Sequence, residues 1–501
     1  MPSVFILVDG ARADVFYEML SQGLLPNIQK HVAERGVAVR NALTVFPSTT
    51  GPAHAPFLTG AFPGPLNIPG IRWFDRRKNS YQNYGPLAWL QFERDYVGPE
   101  AFAMNSDMNG KIKTIFEKLK DLTTASIFEP ITRGAKFVYP PLANVMAKVF
   151  GPIGLFTWEH VDTLAARTFE MVYRCSALVK WMKLPSEPPA FSAVYMPGVD
   201  EASHEHGPLS KNVRHALQNV DKQIGHIAKT LIDLKLYDET SIVIGSDHGL
   251  RPTNLHFDLA KFLSTVGLDV RSFPVTFLQG LGEFDATVAI SGNGMAHIYL
   301  AAEGAEEKAF PLQYIKHNWR RKPKLETLEN YKIRKGRVNI IDLISHLLPV
   351  QHVFVAENKT TSHVYSCDGH GIIRKKGRNE YLYDVIEGKD PLGYDSIVKD
   401  GKIAYREWLN DKEWLTATSE AQFPDVPVQV SQIFESARSG DLIINSRMGW
   451  DLMLELPPHR GTHGGLHAAE MRVPLLIANS RYEIKPNQPL RTLDALDILL
   501  A

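Results

Sequence analysis

Cysteine is scarce in this chain, which contains only Cys175 and Cys367 among its 501 residues. Two cysteines exclude a disulfide framework and favour a reducing compartment. An excess of either charge is also lacking, because 55 basic side chains balance 55 acidic ones. A protein held mainly by a nucleic-acid backbone needs a clustered basic excess, so we expect no nucleic-acid polymer as a partner.

Long apolar runs are missing as well. The sequence has no uninterrupted apolar run of the roughly 18 residues that a transmembrane helix needs, so no such helix is expected. The first residues lead directly into Val4–Val8, an apolar run that is too short for a signal-peptide core and has no basic leader. We therefore expect the mature fold to start near Ser3 and the location to be cytoplasmic.

Four short apolar runs are rich in β-branched residues, as is typical of strands buried on both faces of a parallel sheet. Leu209–Leu234 has a helical pattern and is expected to cross over between strands. A hydrophobic content of 44% is enough for a large core. The sequence therefore predicts an α/β fold with a central, mostly parallel sheet flanked by helices. The predicted strands are Val4–Val8, Phe191–Tyr195, Ser241–Gly245 and Val473–Ala478.

Carboxylates and imidazoles lie beside these predicted strands. The ligand site of an open α/β sheet lies beyond the carboxyl ends of its strands, so these side chains are expected to meet at one edge. Each residue alone has an ordinary explanation as a helix cap or a core histidine, but their joint placement favours a metal site. The residue types suit zinc, with manganese or iron as alternatives. The candidate ligands are Asp9, Asp200, His204, Asp247, His248 and His463.

The stretch Thr44–Gly60 contains three successive hydroxyl residues before Gly51 and Pro52. Proline is well placed in the first turn of a helix, so Thr50 is expected at a helix N-terminus, where free N–H groups attract oxyanions. A hydroxyl there is a candidate nucleophile, although for this stretch taken alone a simple helix cap is the favoured explanation. The three hydroxyl residues are Ser48, Thr49 and Thr50.

Two long regions do not fit the alternation of strands and helices. Residues 64–185 are rich in proline and aromatic side chains and are interpreted as an inserted cap. Residues 301–455 contain hairpin-like segments separated by glycine and charged turns, which indicates a second insertion of α+β type. The catalytic core is then expected to comprise residues 1–63, 186–300 and 456–501.

Five ordered motifs resemble those of the alkaline phosphatase superfamily and, within it, the type I phosphodiesterase/nucleotide pyrophosphatase family. The motifs are Asp9-Gly10-x-Arg12, the stretch Phe46 to His54, Asp200-x-x-x-His204-x-x-Gly207-Pro208, the stretch Ser246 to Gly249, and Thr462-His463-Gly464. The resemblance implies an alkaline-phosphatase-like sandwich with an inserted cap and a smaller insertion. It also implies phosphoryl transfer at two divalent metals, Zn²⁺ first and Mn²⁺ as an alternative, with no organic cofactor.

The resemblance also implies a role for each matching position. Thr50 falls where the family has its threonine nucleophile, which favours it over Ser48 and Thr49. Arg12 is expected to anchor the first loop, and His54 is expected to be structural. One metal would be held by Asp200, His204 and His463. The other would be held by Asp9, Asp247 and His248, with Thr50 as a shared or additional ligand.

Two departures from the family pattern affect substrate handling. Ala53 replaces an asparagine that binds a phosphate oxygen in the family, and Leu66–Ile71 follows a family segment only loosely. We predict a two-metal phosphodiesterase for a small phosphoester, acting through a phosphothreonine at Thr50. Hydrolysis of phosphomonoesters or phosphonates stays open, as does a catalytically inactive binding protein. A sulfatase is disfavoured, because its Cys/Ser-x-Pro-x-Arg pattern is lacking.

A lipid-linked substrate is a further alternative. The apolar stretch Ala135–Trp158, with Lys136 and Lys148 interspersed, can face a membrane surface and admit a phospholipid head group, as in a phospholipase C-like enzyme. The same composition also fits the packed core of the cap. Peripheral membrane contact is therefore an expectation that depends on this stretch.

Overall fold

The computed structural model describes residues 1–84, 103–139, 157–175, 183–273, 284–302, 319–455, 457–485 and 488–501. Strands and helices are numbered below in chain order through these residues. Most of the stretch Ala135–Trp158, including Lys148, lies outside them. Among the described helices, none has both the length and the apolar character needed to cross a bilayer.

A seven-stranded sheet forms the centre of the molecule. Its strands are β1 (Ser3–Val8), β2 (Gly36–Ala38), β6 (Thr124–Ile127), β7 (Phe137–Tyr139), β8 (Phe191–Met196), β9 (Ser241–Gly245) and β25 (Leu475–Ala478). Their order across the sheet is β2-β25-β9-β1-β8-β6-β7. The five strands from β9 to β7 are parallel, whereas β25 and β2 are antiparallel to their neighbours. Every residue of β1, β8 and β9 is buried, which accounts for their continuous apolar sequences.

The structure shows three of the four predicted strands at their expected places, as β1, β8 and β9. The fourth, Val473–Ala478, is divided at Pro474. Arg472–Val473 pairs with Ala42–Leu43 in a separate small sheet, and the central-sheet strand begins only at Leu475. Proline has no N–H to donate to a strand ladder, which explains why the apolar run is split there.

Helices flank the central sheet, and other helices pack against a second sheet that is described below. They are α1 (Ala13–Ser21), α2 (Pro26–His31), α3 (Ala55–Thr59), α4 (Pro63–Leu66), α5 (Met104–Asp107), α6 (Ile115–Lys118), α7 (Trp158–Tyr173), α8 (Gly198–His206), α9 (Lys211–Asp233), α10 (Leu259–Val266), α11 (Leu325–Leu328), α12 (Ile340–Ser345), α13 (Asp395–Lys399), α14 (Asp411–Thr418), α15 (Val426–Ile433), α16 (Ala468–Met471) and α17 (Ala495–Leu500). The predicted crossover helix is α9. It begins after Ser210, whose hydroxyl accepts the Val213 N–H and caps the first turn.

A second, nine-stranded sheet lies in the later part of the chain. Its strands are β11 (Val270–Ser272), β12 (Ala286–Ser291), β13 (Met295–Leu300), β16 (Val350–Ala356), β17 (Thr361–Ser366), β18 (Gly369–Lys376), β19 (Glu380–Gly388), β20 (Leu409–Asn410) and β21 (Leu442–Ser446). Strands β17, β18 and β19 form successive antiparallel hairpins, in agreement with the hairpin-like pattern of this region. Shorter strands make up the small sheets: β3 (Ala42–Leu43), β4 (Arg72–Asp75), β5 (Ser80–Asn83), β10 (Arg251–His256), β14 (Tyr331–Ile333), β15 (Gly336–Val338), β22 (Gly449–Asp451), β23 (Gly461–Thr462), β24 (Arg472–Val473) and β26 (Leu490–Arg491).

The strands are shared between the regions that the sequence divides into core, cap and insertion. Strands β6 and β7 come from residues 64–185, the predicted cap, yet they form one edge of the central sheet. Strands β11 to β13 all come from the predicted core, yet they belong to the second sheet. The domain boundaries at 63/64, 185/186, 300/301 and 455/456 stay predictions. The predicted cap also contributes two strands to the central sheet.

Candidate active site

Three candidate ligands follow the carboxyl ends of β1 and β9. Asp9 comes immediately after β1, and Asp247 and His248 come soon after β9, the neighbouring parallel strand. The Gly10 N–H donates to Asp247 Oδ1 at 3.3 Å. Gly10 has φ +68°, and a Cβ there would lie 2.7 Å from Asp200 Cα. Glycine is therefore required for the first loop to approach the helix that carries Asp200.

Helix α8 carries Asp200 and His204 on one face, one of the two arrangements expected from their spacing. The nearest oxygen of Asp200, Oδ2, lies 3.4 Å from His204 Nε2. At the start of the helix, Gly198 N–H donates to Asp162 Oδ1 at 3.1 Å. The last candidate ligand, His463, follows β23, and its backbone N–H donates to Gly292 O at 3.0 Å.

Hydrogen bonds to backbone carbonyls fix the tautomer of two imidazoles. His204 Nδ1 lies 2.9 Å from Gly461 O, and His463 Nδ1 lies 3.0 Å from Ser48 O. A carbonyl oxygen only accepts, so both Nδ1 atoms carry the hydrogen and Nε2 of a neutral ring keeps its lone pair. Burial, with His248 and His204 adding to it, holds the pKa of His463 well below its usual value. This neutral form is the one that binds metals.

The side chains assemble into two buried groups of three. In each group the possible ligand atoms all lie within 4.8 Å of one another. The groups are adjacent, since the rings of His248 and His463 stack with centroids 3.8 Å apart. One group consists of Asp200, His204 and His463, and the other of Asp9, Asp247 and His248. The structure thus brings together the same two sets that the family resemblance implies.

Among the three side-chain hydroxyls, that of Thr50 is the one that contacts a candidate ligand in the described part of the chain. Its Oγ1 lies 3.1 Å from His248 Nε2. Ser48 Oγ instead donates to Gly465 O at 2.7 Å, and Thr49 Oγ1 is buried with no hydrogen-bond partner among the described residues. The hydroxyl of Thr50 therefore contacts the group that contains His248, whereas the hydroxyls of Ser48 and Thr49 contact neither group.

The expectation that Thr50 begins a helix is wrong. Helix α3 begins at Ala55, and the intervening residues from Gly51 to His54 form a turn. Gly51 has φ +88°, outside the helical region, so the chain cannot run from Thr50 into a regular helix. Thr50 is held by the turn and its contacts rather than by a helix N-terminus.

Negative charge is concentrated between Asp9 and Asp247. Burial and the nearby Asp247 raise the pKa of Asp9 well above its usual value. Burial also acts to raise the pKa of Asp247, but His248 and His54 outweigh it and lower the pKa to about 2. Asp9 Oδ1 is buried and has no hydrogen-bond partner among the described residues. Buried carboxylates of this kind are compensated by cations, so the donor set fits divalent metals.

Two further residues support this site, and sequence reasoning missed both. Tyr195 donates its hydroxyl to Asp9 Oδ2 at 2.5 Å. Glu129 lies 3.1 Å from His54 Nδ1, and His54 Nε2 lies 3.2 Å from Asp247 Oδ2. The sequence predicts Tyr195 only as part of a strand and Glu129 only as part of the cap, so no local pattern distinguishes either residue.

His54 thus bridges two carboxylates, in agreement with the structural role expected for it. Carboxylates only accept, so both ring nitrogens of His54 donate and the ring is an imidazolium. Burial opposes this charge, but Glu129 and Asp247 outweigh it and raise the pKa of His54 to about 10. The imidazolium contacts Asp247 Oδ2, the oxygen that also lies 3.2 Å from His248 Nε2, and so helps to orient this carboxylate.

Arg12 holds the first loop, as expected. Its guanidinium donates to Asp14 at 2.8 and 2.5 Å and to Leu250 O at 3.0 Å. None of these contacts reaches the two groups of candidate ligands, so Arg12 acts on the loop and not on the site itself.

Comparison with protein families places these motifs in a known group. The family described as "Type I phosphodiesterase / nucleotide pyrophosphatase" matches residues 3–466. The chain belongs to this family. The match spans the whole site and most of both sheets, and it confirms the resemblance to this family and to the alkaline phosphatase superfamily.

Individual relatives are more distant. Ectonucleotide pyrophosphatase/phosphodiesterase family member 1 of Mus musculus is 27% identical over 256 residues, which is 50% of this chain and 24% of the mouse protein. The chain therefore matches about a quarter of that relative's length.

Solved structures share the fold. Murine ectonucleotide pyrophosphatase/phosphodiesterase 5 superimposes with a TM-score of 0.52 at 14% identity, covering 100% of this chain and 94% of the murine one. Phosphonoacetate hydrolase from Sinorhizobium meliloti, in complex with phosphonoformate, gives 0.52 at 13%, covering 100% of this chain and 95% of the hydrolase. At these identities the likeness shows the fold alone, and it confirms the predicted fold class.

Proposed function

We propose that this chain is a two-metal phosphoric ester hydrolase that cleaves small phosphodiesters with Thr50 as its nucleophile. The observation that carries the proposal is the position of Thr50 Oγ1, which lies 3.1 Å from His248 Nε2. His248 belongs to one of two adjacent groups of buried carboxylates and imidazoles. Family membership supports the same reaction class.

The chain's own residues prepare this site in two ways. Carbonyl contacts hold His204 and His463 in the tautomer that presents Nε2, while Tyr195 and His54 orient Asp9 and Asp247. Bound divalent metals, Zn²⁺ or Mn²⁺, would stabilise charge on the phosphoryl oxygens and lower the pKa of the Thr50 hydroxyl. Thr50 Oγ1 then forms a bond to phosphorus as the ester bond to the leaving alcohol breaks. Water hydrolyses the resulting phosphothreonine and releases a phosphomonoester.

Substrate class is the less constrained part of the proposal. An inactive form of murine ectonucleotide pyrophosphatase/phosphodiesterase 5 was solved in complex with AMP, which supports a nucleotide ester as one substrate to test here. Ala53, buried where the family has an asparagine, favours a second candidate, hydrolysis of a phosphonate or phosphomonoester. The phosphonoacetate hydrolase of the same fold supports that candidate. A lipid-linked substrate and a cytoplasmic location stay predictions.

A substrate panel tests the proposal. Bis(p-nitrophenyl) phosphate, p-nitrophenyl phosphate, nucleotide esters, phosphonoacetate and phospholipid vesicles are compared on protein loaded with Zn²⁺ or Mn²⁺. We expect the diesters to give the highest kcat/KM and chelation to abolish turnover. A preference for phosphonoacetate would select the second candidate, and no turnover of any substrate would favour an inactive binding protein.

Thr50→Ala and Thr49→Ala form a matched pair for the nucleophile. We expect the first to lose turnover with its metals retained and the second to keep it, because Thr49 Oγ1 contacts no described polar group. Wild-type activity in Thr50→Ala would overturn the assigned mechanism.

A further inference from the structure

Helix α15, in the region that sequence patterns assign to the second insertion, contacts the nucleophile stretch directly. Its side chains Gln429 and Gln432 are 0% and 1% exposed. The Phe46 N–H donates to Gln429 Oε1 at 2.8 Å, and Gln432 Nε2 donates to Phe46 O at 2.6 Å. Both backbone polar groups of one residue, four positions before Thr50, are thus bound by two side chains of one helix.

We propose that Gln429 and Gln432 are positioning residues that fix the loop carrying the Thr50 hydroxyl. The inference rests on the proposed function, since it takes Thr50 to be the nucleophile. Neither glutamine belongs to the motifs of the sequence analysis, and their effect on Thr50 is transmitted through the backbone from Phe46.

Each glutamine is itself held in one orientation. Gln429 Nε2 donates to Asp425 Oδ2 at 2.8 Å, and Gln432 Oε1 accepts the Gly64 N–H at 2.9 Å. A flipped amide would place two acceptors or two donors against each other at both ends, so the network defines the orientation. Asp425 is in turn paired with Arg491, at 2.8 Å from Nε.

The far side of the same loop is held by the candidate metal site. His463 Nδ1 donates to Ser48 O at 3.0 Å, and Thr50 Oγ1 contacts His248 Nε2 at 3.1 Å. The stretch from Phe46 to Thr50 is therefore fixed at one end by helix α15 and at the other by two candidate ligands. A shift of about 1 Å in a reacting group can cost about 100-fold in rate, so this restraint bears directly on turnover.

Packing alone does not account for two glutamines at these positions. Val428, Val430 and Ile433, which flank the two glutamines on helix α15, are apolar and fully buried. A buried amide is costly unless both its donor and its acceptor are paired, and an apolar side chain of similar volume would fill the same space. The glutamines instead supply directed bonds to the loop, which is what positioning requires.

The experiment uses full-length, metal-loaded protein with bis(p-nitrophenyl) phosphate as the probe. Gln429→Met and Gln432→Met remove the polar contacts at similar volume. Ser431→Ala, on the same helix, is the control, because its hydroxyl donates to Pro427 O and makes no other hydrogen bond to the described residues. We expect kcat to fall about 10- to 100-fold in each Met variant, with KM within about threefold of wild type and metal content unchanged. Ser431→Ala should match wild type.

Further variants separate loop positioning from general stability. Gln432→Glu keeps an acceptor for Gly64 N–H but turns a carboxylate oxygen toward Phe46 O, so it should lose kcat as Gln432→Met does. If either Met variant fails to fold, the Asn variants, which keep the amide but are too short to reach, replace it. Wild-type kcat in folded Met or Asn variants, wild-type kcat in Gln432→Glu, or a loss of metal in parallel with kcat would overturn the inference.

Thr50→Ala, measured alongside, separates this inference from the proposed function. An inactive Thr50→Ala protein with fully active glutamine variants overturns only the positioning role. An active Thr50→Ala protein overturns the proposed function, and the inference with it.

Discussion

Two clusters of buried charge in this molecule differ in how their charges are balanced. At the first, Arg491 donates to Asp425 through Nε and Nη2 at 2.8 Å each, and to Asp411 through Nη1 at 3.0 Å. At the candidate active site, Asp9 Oδ1 and Asp247 Oδ2 lie 3.5 and 3.2 Å from the same atom, His248 Nε2. Asp9 Oδ1 accepts no hydrogen bond among the described residues. In the Arg491 cluster both oxygens of Asp425 accept hydrogen bonds from the guanidinium, whereas in the Asp9–Asp247 cluster one carboxylate oxygen has no such partner among the described residues.

This difference distinguishes charged side chains that pair with each other in the fold from charged side chains that are suited to bind a cation. Removing one partner of a complete buried ion pair leaves an uncompensated charge in the interior, which destabilises the fold. An incomplete one is a cost to the fold that a bound cation offsets. Mutations in the two clusters should therefore act in opposite directions on stability.

The largest effect is expected from Asp9→Asn at the candidate active site. Removing one of two close carboxylates should lower turnover by more than about 100-fold, the upper end of what loss of an outer metal partner costs. The same change relieves repulsion in the metal-free protein, so the Tm of that form should rise. Kinetics and calorimetry on the metal-loaded and metal-free proteins measure both effects, and a lower Tm of the metal-free variant would refute the contrast.

Arg491→Met should have the opposite signature. Breaking this pair leaves Asp425 buried without its cation, which costs about 3 to 5 kcal/mol of the free energy of unfolding. Arg174→Met is the matched control, because its pairs with Glu170 and Asp233 are about one-third exposed, and exposed pairs contribute about 0 to 1 kcal/mol. Urea unfolding of the two variants compares them, and equal losses would contradict the account.

His352 extends the contrast to a buried imidazole whose two ring nitrogens both form hydrogen bonds within the protein. Its Nε2 donates to Pro391 O at 2.8 Å, and its Nδ1 accepts from Asn445 Nδ2 at 3.1 Å. Burial lowers its pKa to about 4. The unfolded chain, with a histidine pKa near 6.5, takes up the proton first as the pH falls.

This histidine therefore destabilises the protein progressively between about pH 6.5 and pH 4 and has no effect above that window. The loss reaches about 3 kcal/mol at pH 4. In His352→Gln that component is absent, so its stability relative to wild type should improve by about that amount between pH 7 and pH 4. Urea midpoints at the two pH values measure it, and a constant difference would rule the contribution out.

The smallest effect is expected from Glu129→Gln, which keeps the shape next to His54 but removes a charge. Loss of an outer partner typically costs 10- to 100-fold in metal affinity, and we expect about that for one of the two metals. Competition titration with a chelator measures it. Glu117→Gln, on a carboxylate paired with Arg133 away from the site, is the control and should leave affinity unchanged.

The sequence predicted the parts that depend on local pattern. Buried parallel strands β1, β8 and β9 follow from continuous apolar runs, and the candidate ligands follow from polar residues placed after those strands. The spacing of Asp200 and His204 anticipated a shared helical face, and the ordered motifs identified the family.

The parts that sequence reasoning missed depend on distant contacts or on one backbone angle. Glu129, Gln429 and Gln432 reach the site only because the chain folds back on itself, and no spacing indicates that. The helix expected at Thr50 does not begin there, because Gly51 adopts a positive φ that proline-based reasoning cannot foresee. Strand sharing between the predicted cap, core and insertion is likewise a tertiary property.

Metal stoichiometry tests the central claim most directly. Elemental analysis of the purified protein, after equilibration with Zn²⁺ and removal of free ions, should find two divalent ions per wild-type chain. Asp200→Ala, which alters only one of the two groups, should retain one. Wild-type protein that retains no ion, or a variant that retains as many ions as wild type, would contradict the account.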